Sequence, residues 1–347
     1  IPLPSGRVIE ARLPSYRMPH VRKHASGYYV APEMDVLDLF IGSEGTLGVV
    51  VEVEVKLLPK PEKILSGVAF FENDENLLAL VREVRALSLR TREKQAQTNQ
   101  QIVFPGRGDA ESEADWPTSI GVDACALEYF DSGSLEFLRQ KYETIPSQAA
   151  GAIFFEQETT DDTEGDFAAA WFSVLQFHKA MLDDSWFATN EQDQAKLREF
   201  RHALPVLMNE WFARYHQQKM STDMAVPDEE FKGMLQFYQD ALRGGDLRYT
   251  IFGHIGDNHV HVNILPRDTD EAARAREIYM KFIRRAVAVG GTISAEHGIG
   301  KLKREYLREL YGEEHLREMV ALKRAFDPAG ILGRGNMFAE ELIKSSD

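Results

Sequence analysis

Three of the ten histidines fall within eight residues, in the run His254-Ile255-Gly256-Asp257-Asn258-His259-Val260-His261. Gly256 and Asp257 supply turn chemistry between His254 and His261, so two extended segments can bring those imidazoles to one point, as a divalent metal requires. Asp257 offers an acceptor that could orient a ring. Histidines that only hydrogen-bond within a core look the same in sequence. A second run, Ser294-Ala295-Glu296-His297-Gly298-Ile299-Gly300-Lys301, sets a carboxylate beside an imidazole between glycines. It reads either as a metal ligand next to a general base or as a helix cap at Ser294 followed by loop glycines. A third run, Ile41-Gly42-Ser43-Glu44-Gly45-Thr46-Leu47-Gly48, suits close approach of backbone to a flat or phosphorylated ligand. No lysine follows its last glycine and no helix follows it, so it is neither a P-loop nor a dinucleotide-binding turn.

The elements around these runs must do the positioning. Strands are expected at residues 248–253 and 259–265, joined by the turn 254–258. An amphipathic helix over 269–289 then runs to Gly290-Gly291, and two helices follow the second run, ending at Asp327-Pro328. Upstream, strands are expected at 67–71, 123–129 and 152–156. They are separated by a helix over 76–89 and followed by one through Phe167, Ala170, Trp171, Val174 and Leu175. Val49, Val51, Val53 and Val55 alternate with Val50, Glu52, Glu54 and Lys56, which predicts a strand over 48–58 that Pro59 and Pro61 end. Residues 93–116 hold no period and read as a surface loop or insertion. The whole is an α+β or mixed α/β chain.

Forty basic against fifty-five acidic side chains give a formal charge of −15, which repels a phosphate backbone and makes nucleic acid a poor partner. A small anionic substrate responds instead to a local basic cluster or metal. The single cysteine, Cys125, excludes an internal disulfide and a four-thiolate iron-sulfur centre built from this chain alone. No stretch reaches the roughly 20 apolar residues of a membrane-spanning helix, and residues 1–10 lack the order of a signal peptide, so a cytoplasmic location is expected. The first residue is Ile1 rather than Met, and the opening reads as the interior of something longer.

Taken together, these motifs resemble a known family. Lys23-His24-Ala25-Ser26-Gly27-Tyr28 and residues 40–49 look like the end of the FAD-binding domain of vanillyl-alcohol-oxidase-type flavoproteins. Residues 253–263, 294–301 and 326–338 look like the C-terminal domain of FAD-linked oxidases, a family that includes D-lactate dehydrogenase, the glycolate oxidase flavin subunit and D-2-hydroxyglutarate dehydrogenase. The resemblance implies that residues 1–60 are the tail of the FAD-binding domain and 61–347 a cap that binds substrate and metal, with a mostly antiparallel sheet flanked by helices. It implies FAD contacts from Lys23, Gly27, Tyr28, Ile41, Gly42, Ser43, Glu44, Gly45, Thr46 and Gly48. It implies a divalent ion (Zn, Mn or Fe) on His254, His261 and Glu296, with His297 as base and Asn263 as a substrate-side polar residue. For the substrate carboxylate it points to Arg201, with Arg198 as a register alternative, and to Lys219. The family pattern His-x-Gly-Asp-Gly-Asn-x-His departs here at Asn258-His259, which leaves the role of His259 open.

The activity so implied is oxidation of a D-2-hydroxy acid such as D-lactate, glycolate or D-2-hydroxyglutarate to the 2-oxo acid. The ion would acidify the hydroxyl, His297 would take its proton, and hydride would pass to the flavin. Electrons would then leave to a separate quinone, cytochrome, electron-transfer flavoprotein or iron-sulfur protein, possibly at the periphery of the inner membrane. A pyrophosphate cradle is expected upstream of Ile1, so this chain alone is expected to hold FAD weakly. Two rivals stand beside this reading: a flavin-free metalloenzyme, and a non-catalytic subunit or fragment that completes the flavin site of another chain.

Overall fold

The computed structural model describes residues 6, 8–98 and 121–344. A short helix α1 (Val36–Phe40) precedes strand β1 (Lys63–Phe71) and helix α2 (Asp74–Thr98). Then come β2 (Ala124–Asp131), α3 (Ser132–Leu138), β3 (Gly151–Thr159), α4 (Glu164–Phe177), β4 (Trp186–Ala188) and α5 (Glu191–Tyr215). The chain continues through β5 (Met220–Ser221), α6 (Phe231–Gly244), β6 (Tyr249–Gly253), β7 (His261–Ile264), α7 (Thr269–Ala288), α8 (Arg304–Phe326) and α9 (Glu340–Lys344). The seven strands form one sheet in the order β4-β1-β3-β2-β6-β7-β5, and the pairs are antiparallel.

Alternation along the strands sorts the side chains onto two faces. Ala69, Phe71, Tyr129, Ile153, Phe155, Ile251 and Val262 join the large core built with α2, α4, α6, α7 and α8. Val68, Phe70, Phe130, Ala152 and Phe154 join the smaller core under α3 and α5. Covering both faces explains why these strands read as nearly continuous apolar runs rather than as clean alternation. Where the α5-side core stops, its face continues with Glu128, Glu156, Arg198 and Arg201.

Two expectations are corrected. Residues 48–58 form no strand: Val51 is 93% exposed and Leu58 84%. Among the described residues no strand lies beside them, and a strand is held by a neighbour that takes its N–H and C=O groups rather than by its own alternation. Residues 93–98, expected to be loop, instead extend α2, while the rest of that predicted insertion falls largely outside the described residues. The two helices expected after the second motif include α8, which is broken at Gly312 (φ 74°).

Residues between Ser15 and Thr46 are zipped to the C-terminal third. Ala25 N donates to Ser294 O at 2.8 Å, Ser26 Oγ lies 2.9 Å from Thr292 Oγ1, and the Tyr16 and Tyr311 rings pack in a tilted pair with centroids 4.1 Å apart. No helix among the described residues is long and apolar enough to cross a membrane.

Candidate functional site

β6 and β7 pair with Phe252 opposite His261, so the turn between them carries His254 out and returns through His259. Asn258 closes that turn in the left-handed region (φ 53°), a conformation Asn tolerates better than most residues. Residues 222–225 run alongside as a spine. Thr222 N donates to Val262 O, Ala225 bridges to both His259 and Thr292, and Ala295 N donates to Asp223 O at 2.7 Å. The spine thereby presses the loop that carries Glu296 and His297 against the histidine turn.

The three residues expected to bind metal are brought together. One donor atom each from His254, His259, His261 and Glu296 lie within 4.8 Å of one another. His254 Nε2 is 3.4 Å from Glu296 Oε2, while its Nδ1 faces Glu128 Oε1 at 2.9 Å. His261 Nδ1 faces the Thr222 carbonyl at 2.9 Å. Each ring thus turns one nitrogen to an acceptor outside the cluster and leaves the other for an ion, the usual arrangement of a metal-bound imidazole. The donor set of imidazoles and one carboxylate fits a divalent ion. The acceptor of His254 is Glu128 rather than Asp257, which pairs with Lys23 at 3.0 Å.

His297 belongs to a different group, with Asp223 and His261. Its Nδ1 lies 3.5 Å from Asp223 Oδ2, its ring stacks on His261 at 5.4 Å between centroids, and its side chain is 63% exposed. Asp223 is 1% exposed and organises the loop. It accepts from Ser294 Oγ at 2.5 Å, from His297 N at 3.0 Å and from Lys303 Nζ at 2.7 Å. Burial works against its charge, but His259, Lys303 and Ser294 outweigh it and hold the carboxyl well below the usual range.

Charge sets the protonation of the rest. The hydrogen bond to Glu128 raises the pKa of His254 against its burial. Burial lowers His261 to about 4 and so keeps it neutral, the form that binds metal. Glu296 is pushed up by burial but held below its ordinary value by Lys23, His254 and His259. Lys23 Nζ sits 2.6 Å from Glu296 Oε1, so this residue, expected on the flavin side, reaches the metal cluster.

Arg201 donates to Glu128 Oε1 at 2.5 Å, which links it to His254 through one carboxylate. It lines a cavity of about 510 Å³ together with Lys23, Glu128 and His254. Arg198 instead pairs with Glu156 at 3.3 Å. Asn263 is fully buried two residues along β7 from His261, on the same face, and its Oδ1 has no partner. Lys219 is not brought to this cluster. It is exposed, and the register Met220 to Ile264 puts it beyond the far end of β7 from His261.

The glycine-rich run turns Glu44 and Thr46 inward. The Glu44 carboxylate accepts from Ile299 N at 2.5 Å and Gly300 N at 2.7 Å, so it braces the loop behind His297. Thr46 Oγ1 meets the Tyr28 hydroxyl at 2.8 Å, and the Thr46 carbonyl accepts from the fully buried Lys323. Tyr28 and Ser43 are buried, and Gly27 lies against Met319. Ile41, Gly42 and Gly45 remain exposed, with open space where a Cβ would stand on Gly42 and Gly45. Thr46 is buried and Glu44 half-buried, which leaves Ile41, Gly42 and Gly45 as the most exposed part of this run.

Residues 117–337 match the family described as FAD linked oxidases, C-terminal domain. The chain belongs to that family. It is 28% identical over 326 residues to the glycolate oxidase subunit GlcD of Bacillus subtilis, covering 93% of this chain and 60% of that protein. It is 29% identical to a D-lactate dehydrogenase of Anaerostipes hadrus, covering 96% and 62%. It is 28% identical to a D-2-hydroxyglutarate dehydrogenase of Stutzerimonas stutzeri, covering 91% and 60%. The chain thus spans about three fifths of the length of these relatives. Among solved structures, 4-ethylphenol oxidase from Gulosibacter chungangensis shares the fold with a TM-score of 0.58 at 14% identity, covering 90% of this chain and 61% of that one.

Two organising residues escaped the sequence reading, Glu128 and Asp223. Each is a lone carboxylate in an otherwise apolar run, Ala126-Leu127-Glu128-Tyr129-Phe130 and Asp223-Met224-Ala225-Val226, and that isolation was the available signal.

Proposed function

We propose that this chain is the substrate- and metal-binding portion of an FAD-dependent dehydrogenase that oxidises a D-2-hydroxy acid to its 2-oxo acid. The observation that carries the reading is the convergence of His254, His261 and Glu296 beside His297. The named relatives, which act on glycolate, D-lactate and D-2-hydroxyglutarate by their names, support this substrate class. Residues 1–60 would be the tail of the FAD-binding domain and 61–347 the cap.

His254, His261 and Glu296 would hold the ion, which when bound supplies Lewis acidity toward a hydroxyl oxygen. FAD, when bound, supplies the acceptor for hydride. With Nδ1 turned to Asp223, His297 leaves Nε2 free to take the hydroxyl proton, the same logic by which a carboxylate orients a catalytic imidazole. Arg201 keeps donors beyond the one used by Glu128 and opens onto the cavity, where a carboxylate can accept from its fork. Asn263 carries a buried unpaired oxygen toward the same face, fit to accept from a substrate hydroxyl. A separate electron acceptor completes the cycle, in the cytoplasm or at the inner membrane surface.

The test is the absorption spectrum of the longest native gene product, mixed anaerobically with D- and L-2-hydroxy acids. Bleaching of a flavin band by a D-acid is expected, and metal chelation should abolish it. A protein with no flavin chromophore, or one that no hydroxy acid bleaches, refutes the reading. A fragment role is favoured by one observation, the inward commitment of Glu44 and Thr46. In that case bleaching would need a second chain carrying the rest of the flavin site.

A further inference from the structure

We infer that His259 is a fourth protein ligand, so that the ion is held by three imidazoles and one carboxylate. The inference rests on the metal reading of His254, His261 and Glu296 and extends it to a residue at which this chain departs from its family's pattern. His259 is fully buried, yet its Nδ1 has no hydrogen-bond partner. Its Nε2 lies 3.0 Å from Asp223 Oδ1 without the alignment of a good hydrogen bond. A buried polar atom left unpaired is costly, so native chains give such atoms a partner or an ion.

What Nδ1 faces is the metal cluster. It lies 3.9 Å from Glu296 Oε1, and a ring nitrogen of His259 stands within 4.8 Å of donor atoms from His254, His261 and Glu296. Donors around a tetrahedral ion at about 2.0 to 2.1 Å stand roughly 3.4 Å apart, so small side-chain rotations close the group. The three rings also share one construction. His254 is held from outside by Glu128 and His261 by the Thr222 carbonyl, and Asp223 Oδ1 stands 3.0 Å behind His259 Nε2, where a small ring rotation would align it. Carboxylate or carbonyl support on the far nitrogen is what orients metal-bound histidines. Lys23 Nζ pairs with both Glu296, at 2.6 Å, and Asp257, at 3.0 Å, so it would keep a carboxylate partner if Glu296 turned to an ion.

Four protein donors fill a tetrahedral sphere. Such a set would suit an ion that accepts further ligands beyond four, since a substrate hydroxyl would have to join it.

Two measurements on the full chain read metal binding without activity. X-ray absorption of the zinc-loaded, unmodified protein should fit three imidazoles and one carboxylate, and a fit of two imidazoles overturns the inference. Zinc titration against a competing chelator should show His259→Asn weakening affinity by about 100-fold or more, beyond the roughly 10- to 100-fold typical of groups that only support a ligand. Unchanged affinity in a folded His259→Asn variant means that His259 merely bridges Asp223 and Glu296, and overturns the inference while leaving the three-residue site standing. If the unmodified protein takes up no zinc, and His254→Ala changes nothing, the metal reading itself falls and this inference with it. Should His259→Asn fail to fold, the absorption fit on the unmodified chain still decides.

Discussion

Replacing Asp223 by Asn removes one charge from the most heavily used carboxylate near the cluster and changes almost no volume. Oδ2 accepts from Ser294 Oγ, His297 N and Lys303 Nζ, while Oδ1 faces His259 Nε2 and accepts from Glu296 N at 3.3 Å. An amide can keep one of these oxygens, but the other becomes an NH₂ that confronts a donor. Lys303, whose side chain is 16% exposed, loses its counter-charge. Removing one partner of a buried ion pair costs about 3 to 5 kcal/mol. At roughly 2 °C per kcal/mol for a large domain, the melting temperature should fall by about 6 to 10 °C. The folded carboxyl lies below the unfolded value of about 3.9, so its stabilisation is complete above that value and is lost as pH falls through the folded one. The gap between parent and variant should therefore stay flat from pH 8 to 5 and shrink below about pH 4. Circular dichroism melts of both proteins across that range provide the assay. A variant that melts within a degree or two of the parent at pH 7, or a gap that widens on acidification, refutes this account of Asp223.

Three further outcomes follow from the same geometry. Burial lowers His24 to about 4, so in the metal-free chain its stabilisation is full above about pH 6.5 and lost as pH falls toward 4. Urea titrations should show His24→Gln losing about 3 kcal/mol less than the parent over that window, with the buried His261 contributing a further loss that both proteins share. Lys323 is fully buried and donates to Thr46 O, Leu332 O and Asp327, so Lys323→Met should cost about 3 to 5 kcal/mol in chemical denaturation, with a smaller loss if Asp327→Asn is made as well. Gly298 has φ 69° and no room for a Cβ, which would meet Glu44 Oε1 at 2.6 Å. Gly298→Ala should destabilise by at least about 1 to 2 kcal/mol and weaken zinc binding in a chelator competition, because the loop carrying Glu296 must shift.

The α/β alternation, the helix over 269–289 and the β6–β7 turn were legible because period and turn chemistry are local. The same locality misled at residues 48–58, where alternation is present but, among the described residues, no strand pairs with it. It misled again at residues 93–98, which carry no period of their own yet continue α2. The glycine-rich run was recognised as special, yet which way its side chains face depends on Lys323 and on Ile299 and Gly300, all more than 250 residues away in the chain.

The sequence alone determined the inventory of the site: a close-spaced set of imidazoles, a Glu-His pair between glycines, and an arginine on a helix. It could do so because donor chemistry belongs to residue types and is written in short motifs. Only the tertiary structure decided which of these groups share a point. His254 meets Glu128 and Arg201 through a strand pairing 126 residues distant, and His259 turns inward because Asp223 stands behind it. Lys219 drops away because sheet register carries it to the far end of β7. Register, burial and the alignment of a second partner come from packing between segments distant in sequence, and no local pattern encodes them.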